Sequence, residues 1–200
     1  MIPTTRQILR LSMQQQRSQL TPAQQHSASE QACHFIAAQS WFKQSQHIAF
    51  YWAVRGEINL HPLIQQAAQR HKKCYLPVCH PSQNILSFAP YQPGDALCLN
   101  PYKIPEPCSK PFRQPAELDL IFMPLLAFDA RGNRLGSGQG YYDRTLAYLN
   151  TCTYQRKPQR VGVAYDFQQV PMIEAESWDV PLDTLVIYSE TGIKSLIQIQ

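Results

Sequence analysis

Apolar positions recur at helical spacing through the first forty or so residues, then give way to short continuous apolar runs. Ile8, Leu9, Leu11 and Met13 make a partial stripe that predicts a first helix over about 5–20, with Arg6, Arg10 and Arg17 lying along it. Thr21-Pro22 offers a capping hydroxyl and a first-turn proline. A second helix is therefore expected from there to about 39, burying Ala28, Ala32, Phe35 and Ile36. The glutamine-rich stretch 14–31 keeps this periodicity, so it reads as the solvated faces of two helices rather than low complexity. The apolar, aromatic run 47–53 predicts a buried strand, Arg55-Gly56 a turn, and Asn59 the cap of a short helix through Leu60, Leu63, Ile64 and Ala67. Further strands are expected at 74–78, 85–89, 118–123, 161–164 and, last, 185–188, with a helix ending near Leu149. Residues 90–115 hold seven of the sixteen prolines, which excludes regular structure throughout and suggests a functional loop or flap.

Strands alternating with helices, and strands that are apolar nearly end to end, predict an α/β fold. The expectation is a single three-layer domain over residues 1–200, its mainly parallel sheet carrying helices on both faces. No internal repeat or linker interrupts it. Ligands of such sheets sit beyond the carboxyl ends of the strands.

A hydrophobic content of 44% and a charged content of 16% fit an ordinary folded globule. The net charge of +4 suits a small anionic ligand and falls short of the dense basic face that duplex binding needs. Neither a signal peptide nor a membrane-length apolar run is visible, so the expected setting is the cytoplasm, with no membrane and no nucleic acid as partner and a monomer as the default. The six cysteines (33, 74, 79, 98, 108, 152) lack metal-ligand spacing and read as small buried hydrophobes rather than a disulfide frame.

The chemistry concentrates after the strand at 118–123, where three alternating glycines (Gly136, Gly138, Gly140) precede Tyr141-Tyr142-Asp143 and a helix. Glycines bring backbone amides close to a ligand, and a helix start adds positive dipole, so the segment reads as a phosphate cradle. The bare pattern is weak: no Gly-Lys-Ser/Thr follows, as a P-loop requires, and Tyr141 stands where the dinucleotide fingerprint would place a spaced glycine. A ligand-free tight turn fits it equally well.

The surrounding residues are more specific. Pro124, Ala127-Phe128-Asp129, Gly132, Arg134-Leu135-Gly136, Gly138 and Gly140-Tyr141-Tyr142-Asp143-Arg144 closely resemble the signature of the 5-formyltetrahydrofolate cyclo-ligase family. Gly56-Glu57-Ile58, Glu106-Pro107 and Asp179 extend the resemblance over most of the chain. It implies an enzyme that uses ATP and Mg2+ to turn the small molecule 5-formyltetrahydrofolate into 5,10-methenyltetrahydrofolate, releasing ADP and phosphate. The formyl oxygen is phosphorylated first, and N10 then attacks. Carried over position by position, the resemblance puts Arg6, Gln7, Ile8, Leu9 and Arg10 beside ATP, together with Arg134, Leu135, Gly136, Ser137, Gly138, Gln139, Gly140, Tyr141 and Tyr142. Ser137 to Tyr141 would also edge the formyl end of the folate, with Arg134 and Tyr141 as the catalytic pair. Trp52 and Glu57 match substrate contacts, Glu57 accepting from the pterin amino group and ring N–H. Asp143 and Asp179 match the magnesium ligands; Asp143 could instead cap its helix, and Asp183 could exchange roles with Asp179.

Arg6 stands where lysine is usual, Leu125 where glycine is common, and Ser137 and Gln139 where aromatic, basic or glycine residues are frequent. A kinase or transferase using the same loop, and a catalytically silent folate- or nucleotide-binding protein, are the competing readings. RNA binding ranks below both, because the aromatics do not interleave with basic residues.

Overall fold

The structure, a computed structural model, describes residues 4–108, 112–150 and 157–199. The chain opens with α1 (Thr5–Ser18) and α2 (Pro22–Ala38). Each starts at a threonine, Thr4 or Thr21, whose hydroxyl accepts from the amide three residues on. The glutamine at that third position, Gln7 or Gln24, accepts in return from the threonine amide. Some of the glutamine richness is therefore helix capping. After α3 (Ser40–Gln44) come β1 (His47–Ala49), α4 (His61–Gln69), β2 (Lys73–His80) and β3 (Ile85–Pro90). Next are the small hairpin β4 (Leu97–Leu99) and β5 (Pro105–Pro107), β6 (Leu120–Met123), a second hairpin β7 (Ala127–Phe128) and β8 (Arg134–Leu135), and α5 (Tyr141–Leu146). β9 (Gln159–Tyr165), β10 (Thr184–Ser189) and β11 (Gly192–Gln198) end the chain.

Seven strands form the main sheet in the order β11-β10-β9-β6-β1-β2-β3. The five inner strands run parallel; β3 and β11 pair antiparallel at the two edges. Alternation along the strands feeds two cores. Leu120 and Phe122 of β6 join Ile48, Val161 and Val186 against Ile36 of α2 and Leu63 of α4. Ile121 and Met123 join Ala49, Ala164 and Leu185 against Leu146 of α5. Helices thus cover both faces, as the apolar strand pattern predicts. Among the described residues no helix is long and apolar enough to cross a membrane.

Three local expectations change. β1 stops at Ala49 rather than continuing to 53, although the Phe50 amide still reaches the Tyr75 carbonyl at 2.9 Å. β11 is an edge strand whose apolar residues are broken up by Lys194, Ser195 and Gln198, which hides it from an apolar-run reading. Within the proline-rich segment, β4 and β5 place Cys98 and Cys108 diagonally across the hairpin with Cα atoms 5.5 Å apart, and a disulfide joins them. The expectation of unpaired cysteines fails there because hairpin register, which spacing alone does not reveal, brings the pair together. Cys33, Cys74 and Cys79 are free thiols, and Cys152 lies outside the described residues.

Candidate active site

The strand order reverses between β1 and β6: the chain leaves β1 for β2 on one side and leaves β6 for β9 on the other. Loops leaving the carboxyl ends of these two strands diverge, and the crevice between them is where such sheets take ligands. The loop after β1 carries Trp52 and Glu57; the one after β6 carries Pro124 and leads through β7–β8 to the glycines.

Asp129 shapes that second loop. Its buried carboxylate accepts from the amides of Arg131, Asn133 and Ile173 and from Asn133 Nδ2, all within 2.9–3.0 Å. Burial pushes its pKa up, but these four bonds outweigh it and hold the carboxyl below its ordinary value. Asp129 therefore builds a turn, with both carboxylate oxygens engaged by the protein itself. Leu125 fills the second core above Gly162, where a Cβ would lie 2.7 Å from Leu125 Cδ2, so the leucine packs in the space that Gly162 leaves. Gln168 Nε2 fixes the backbone beside it through the carbonyls of Leu125 (3.2 Å) and Leu126 (2.9 Å).

The glycine loop itself is exposed at Ser137, Gly138 and Gln139. Gly138 has φ +103°, a conformation that calls for glycine, and a Cβ there would come into ordinary contact with the Arg10 guanidinium at 3.4 Å. Arg144 ties the loop back, donating to the carbonyls of Gln139 and, at 2.9 Å, Asn84. α5 spans six residues before tightening into a 3-10 turn, so the expected helix-dipole contribution is small. The positive field at the loop comes from arginines instead.

Arg6 and Arg10 lie one turn apart on α1 and reach across to this region. Arg10 Nε donates to the Gly136 carbonyl at 3.0 Å, and Arg6 Nη2 donates to Asp179 Oδ2 at 2.7 Å. Arg134, on β8, donates through Nη2 to Asp143 Oδ1 at 2.7 Å, and the same oxygen accepts from the Val180 amide at 3.1 Å. The two candidate metal carboxylates are thus joined through adjacent backbone, each already paired with an arginine. Asp143 makes no capping bond within α5, so the capping alternative falls. Asp183 is held by the Arg160 guanidinium and amide at the amino end of β10, whereas Asp179 lies beside Arg6 of α1. Among the described residues, the buried Nε atoms of Arg6 and Arg134 have no acceptor, and the buried Tyr142 hydroxyl has no partner. Unpaired guanidinium donors around a glycine loop fit the oxygens of a phosphate chain. Asp143 and Asp179, with no third His, Cys, Asp or Glu grouped with them among the described residues, are oxygen donors of the kind a hard cation takes while keeping several waters.

On the β1 side, a cavity of about 410 Å³ is lined by Trp52, Arg55, Glu57 and His61. Trp52 meets His61 and Tyr91 edge to face with its ring only partly covered. Glu57 Oε2 accepts from the Val54 amide at 3.0 Å, and Oε1 lies 3.7 Å from Arg17 Nη1. Burial pushes the Glu57 carboxyl up, and Arg17 opposes that shift.

Tyr141 has a partner that the motif does not foretell: its hydroxyl lies 2.9 Å from the Tyr102 hydroxyl on the turn between β4 and β5. Burial, and then this bond, push the Tyr141 phenol up to about 12, so it stays a neutral hydroxyl near pH 7. Asn100 shapes the turn by accepting from the Tyr102 and Ile104 amides, and Glu106 holds both Asn100 Nδ2 and the Cys79 amide.

The fold therefore brings Arg6, Arg10, Arg134, the glycines, Asp143 and Asp179 together and sets Trp52 and Glu57 around the neighbouring cavity. Of the residues between the two arginines, Gln7 closes a capping box, Ile8 is exposed and Leu9 packs against the small core under α1. Leu135 joins that same core. Arg17 and Tyr102 were not among the sequence candidates. Arg17 follows Arg10 by seven residues on the same face of α1, a signal that was available; nothing local marks Tyr102.

A sequence model of the 5-formyltetrahydrofolate cyclo-ligase family matches residues 3–188. The 5-formyltetrahydrofolate cyclo-ligase of Haemophilus influenzae is 38% identical over 188 residues, spanning 91% of this chain and 97% of that protein. That of Escherichia coli strain K12 is 38% identical over 181 residues, spanning 89% and 97%. Among solved structures, the 5,10-methenyltetrahydrofolate synthetase of Aquifex aeolicus superposes with a TM-score of 0.81 at 30% identity, covering 98% of this chain and 94% of that one.

Proposed function

The chain belongs to the 5-formyltetrahydrofolate cyclo-ligase family, ligases that convert 5-formyltetrahydrofolate to 5,10-methenyltetrahydrofolate, and from that premise we propose that this enzyme drives the ring closure with Mg2+ and ATP, releasing ADP and phosphate. The chemical obstacle is the amide-like N5-formyl oxygen, a poor leaving group. ATP would supply the phosphoryl group that turns this oxygen into departing phosphate as N10 closes the ring, while Mg2+ would offset the triphosphate charge.

The protein's task is then positioning and charge neutralisation. Arg6, Arg10, Arg134 and the amides of Gly136 to Gly140 would hold the triphosphate, and Asp143 and Asp179 the metal. The resting pairs Arg6–Asp179 and Arg134–Asp143 support this reading. Each places a cation for phosphate beside an anion for metal, so the charges are balanced and aimed before either ligand arrives. Glu57 would accept from the pterin donor edge, and Trp52 would pack against its ring. Tyr141, a neutral hydroxyl at the end of the glycine loop, would orient the formyl group where the two ligands meet. Ser137 and Gln139, exposed at the loop tip, would tune affinity rather than the reaction. We propose the cytoplasm as its setting and a monomer as its working form, the latter checked by size-exclusion chromatography with light scattering.

The observation carrying most weight is that Arg10 bonds to Gly136 and lies beside Gly138, which brings α1 and the glycine loop together where one phosphate chain would meet both. The test mixes purified protein with 5-formyltetrahydrofolate and Mg·ATP and follows the methenyl absorbance. A rise that needs all three components is the expected result. A flat trace from folded protein sinks the proposal. ATP hydrolysis or transfer without methenyl product would favour the kinase or transferase reading.

A further inference from the structure

Arg17 and Arg134 are the two buried arginines among the described residues; the Arg17 side chain is 4% exposed and the proposed reaction gives it no role. Its Nε donates to the Arg55 carbonyl at 2.8 Å, and its Nη1 donates to the Leu125 carbonyl at 3.4 Å. The first carbonyl belongs to the loop after β1, the second to the loop after β6. One guanidinium therefore spans the two loops that bound the crevice. The Arg55–Gly56 turn is itself unusual: both residues are left-handed, with φ of 51° and 78°. A non-glycine residue in that region persists only where its surroundings impose it. Arg17 provides that imposition, and a Cβ on Gly56 would meet both Arg17 Cγ and its carbonyl oxygen at 3.2 Å.

We propose that Arg17 is a positioning residue for the folate cavity, holding the strained Arg55–Gly56 turn and orienting the Glu57 carboxylate for the donor edge of the substrate. The inference rests on the reading of Glu57 as the pterin contact. Arg17 touches no reacting atom.

Its charge matters as well as its bonds. The groups facing Glu57 are Arg17 from α1, Arg55 and Tyr51 from its own loop, Tyr165 from β9 through the Gly56 carbonyl, Tyr142 from α5 and, across the cavity, His61 from α4. Burial raises the Glu57 pKa, and Arg17 is the foremost opposing influence. Removing Arg17 therefore raises it further. A protonated Glu57 offers fewer acceptor sites to a donor edge, so the loss of binding should be greatest in acid and shrink as pH rises.

Calorimetric titration of Arg17→Met, Arg17→Lys and Glu57→Gln with 5-formyltetrahydrofolate, and separately with Mg·ATP, between about pH 6 and pH 9 tests this. Arg17→Met should weaken folate binding roughly tenfold at neutral pH and leave ATP within about twofold, with the folate defect narrowing toward the alkaline end. Arg17→Lys, which keeps the charge but loses the fork, should remove most of the pH dependence and only part of the loss. Normal folate binding by Arg17→Met, while Glu57→Gln is weakened, overturns the proposal alone. A folate defect of equal size at every pH does the same, since a merely structural arginine predicts it. Normal folate binding by Glu57→Gln overturns the proposal together with the reading of the cavity. Should Arg17→Met not fold, Arg17→Lys binding folate with an unaltered pH profile and full affinity is the overturning result.

Discussion

Tyr102 and Tyr141 are 39 residues apart in sequence, yet their hydroxyls share a 2.9 Å hydrogen bond and their rings meet edge to face at 5.8 Å. The proline-rich segment thus reaches over the glycine loop and holds its last side chain by the tip. Tyr102→Phe keeps the ring contact and deletes only the bond. A neutral hydrogen bond contributes about 0.5–1.5 kcal/mol, so kcat should fall roughly two- to tenfold with ATP binding unchanged. Steady-state kinetics with both substrates varied decides it; wild-type kcat in Tyr102→Phe would show that Tyr141 needs no such support.

Arg10 makes a charge-assisted bond to Gly136 and faces the space a Cβ on Gly138 would fill. Truncating it removes a brace for the loop and, on the proposed reading, a phosphate donor. Arg10→Ala should weaken Mg·ATP by about 1.5–3 kcal/mol, or roughly ten- to a hundredfold, and leave 5-formyltetrahydrofolate nearly untouched. Calorimetry on each ligand separately reads this, and unchanged ATP affinity would take Arg10 out of the site.

Much of this arrangement is legible before any coordinates. The parallel sheet follows from runs such as 120–123, buried at every position because both faces are covered, and the α2 start follows from Thr21-Pro22. The grouping of Arg6, Arg10, the glycines and Asp143 follows from motif residues that the fold brings together as expected. What stays hidden depends on long-range pairing. The pairing of Asp143 with Arg134, that of Asp183 with Arg160, Tyr102 on Tyr141, and Cys98 with Cys108 are each set by where distant segments meet. Nothing in the local sequence encodes such meetings, because side-chain partners across a fold depend on register and layer packing.

Asp143, proposed above as a metal ligand, carries structure too. Its partner Arg134 has a side chain only 5% exposed, so the pair is screened little by solvent. Asp143→Asn keeps an oxygen for the Val180 amide but leaves the Arg134 charge uncompensated. The variant should lose about 1–3 kcal/mol of stability and need markedly more magnesium for half-maximal rate. Urea unfolding and a magnesium titration measure the two effects on one sample. A lowered stability with an unshifted magnesium midpoint would make Asp143 a structural acid only.

Asp129 gives the clearest pH prediction, because four hydrogen bonds depress its pKa below the ordinary 3.8 despite burial. A carboxyl whose folded pKa lies below its unfolded one stabilises the fold above the unfolded value, and that stability disappears as pH falls through the folded value. The window is therefore the acid side of about pH 4, with the contribution constant through neutrality. Asp129→Asn removes it at all pH values, since each oxygen accepts from two donors and the amide nitrogen that replaces one of them turns its own N–H groups toward that pair. The expected loss at neutral pH is about 2–4 kcal/mol, together with collapse of the turn at Gly132 that feeds the glycine loop. Urea unfolding from about pH 3 to pH 7 should show wild-type stability falling on the acid side and the variant lower but flatter there. Parallel acid limbs for the two proteins would mean that other carboxylates, and not Asp129, set the acid lability of this fold.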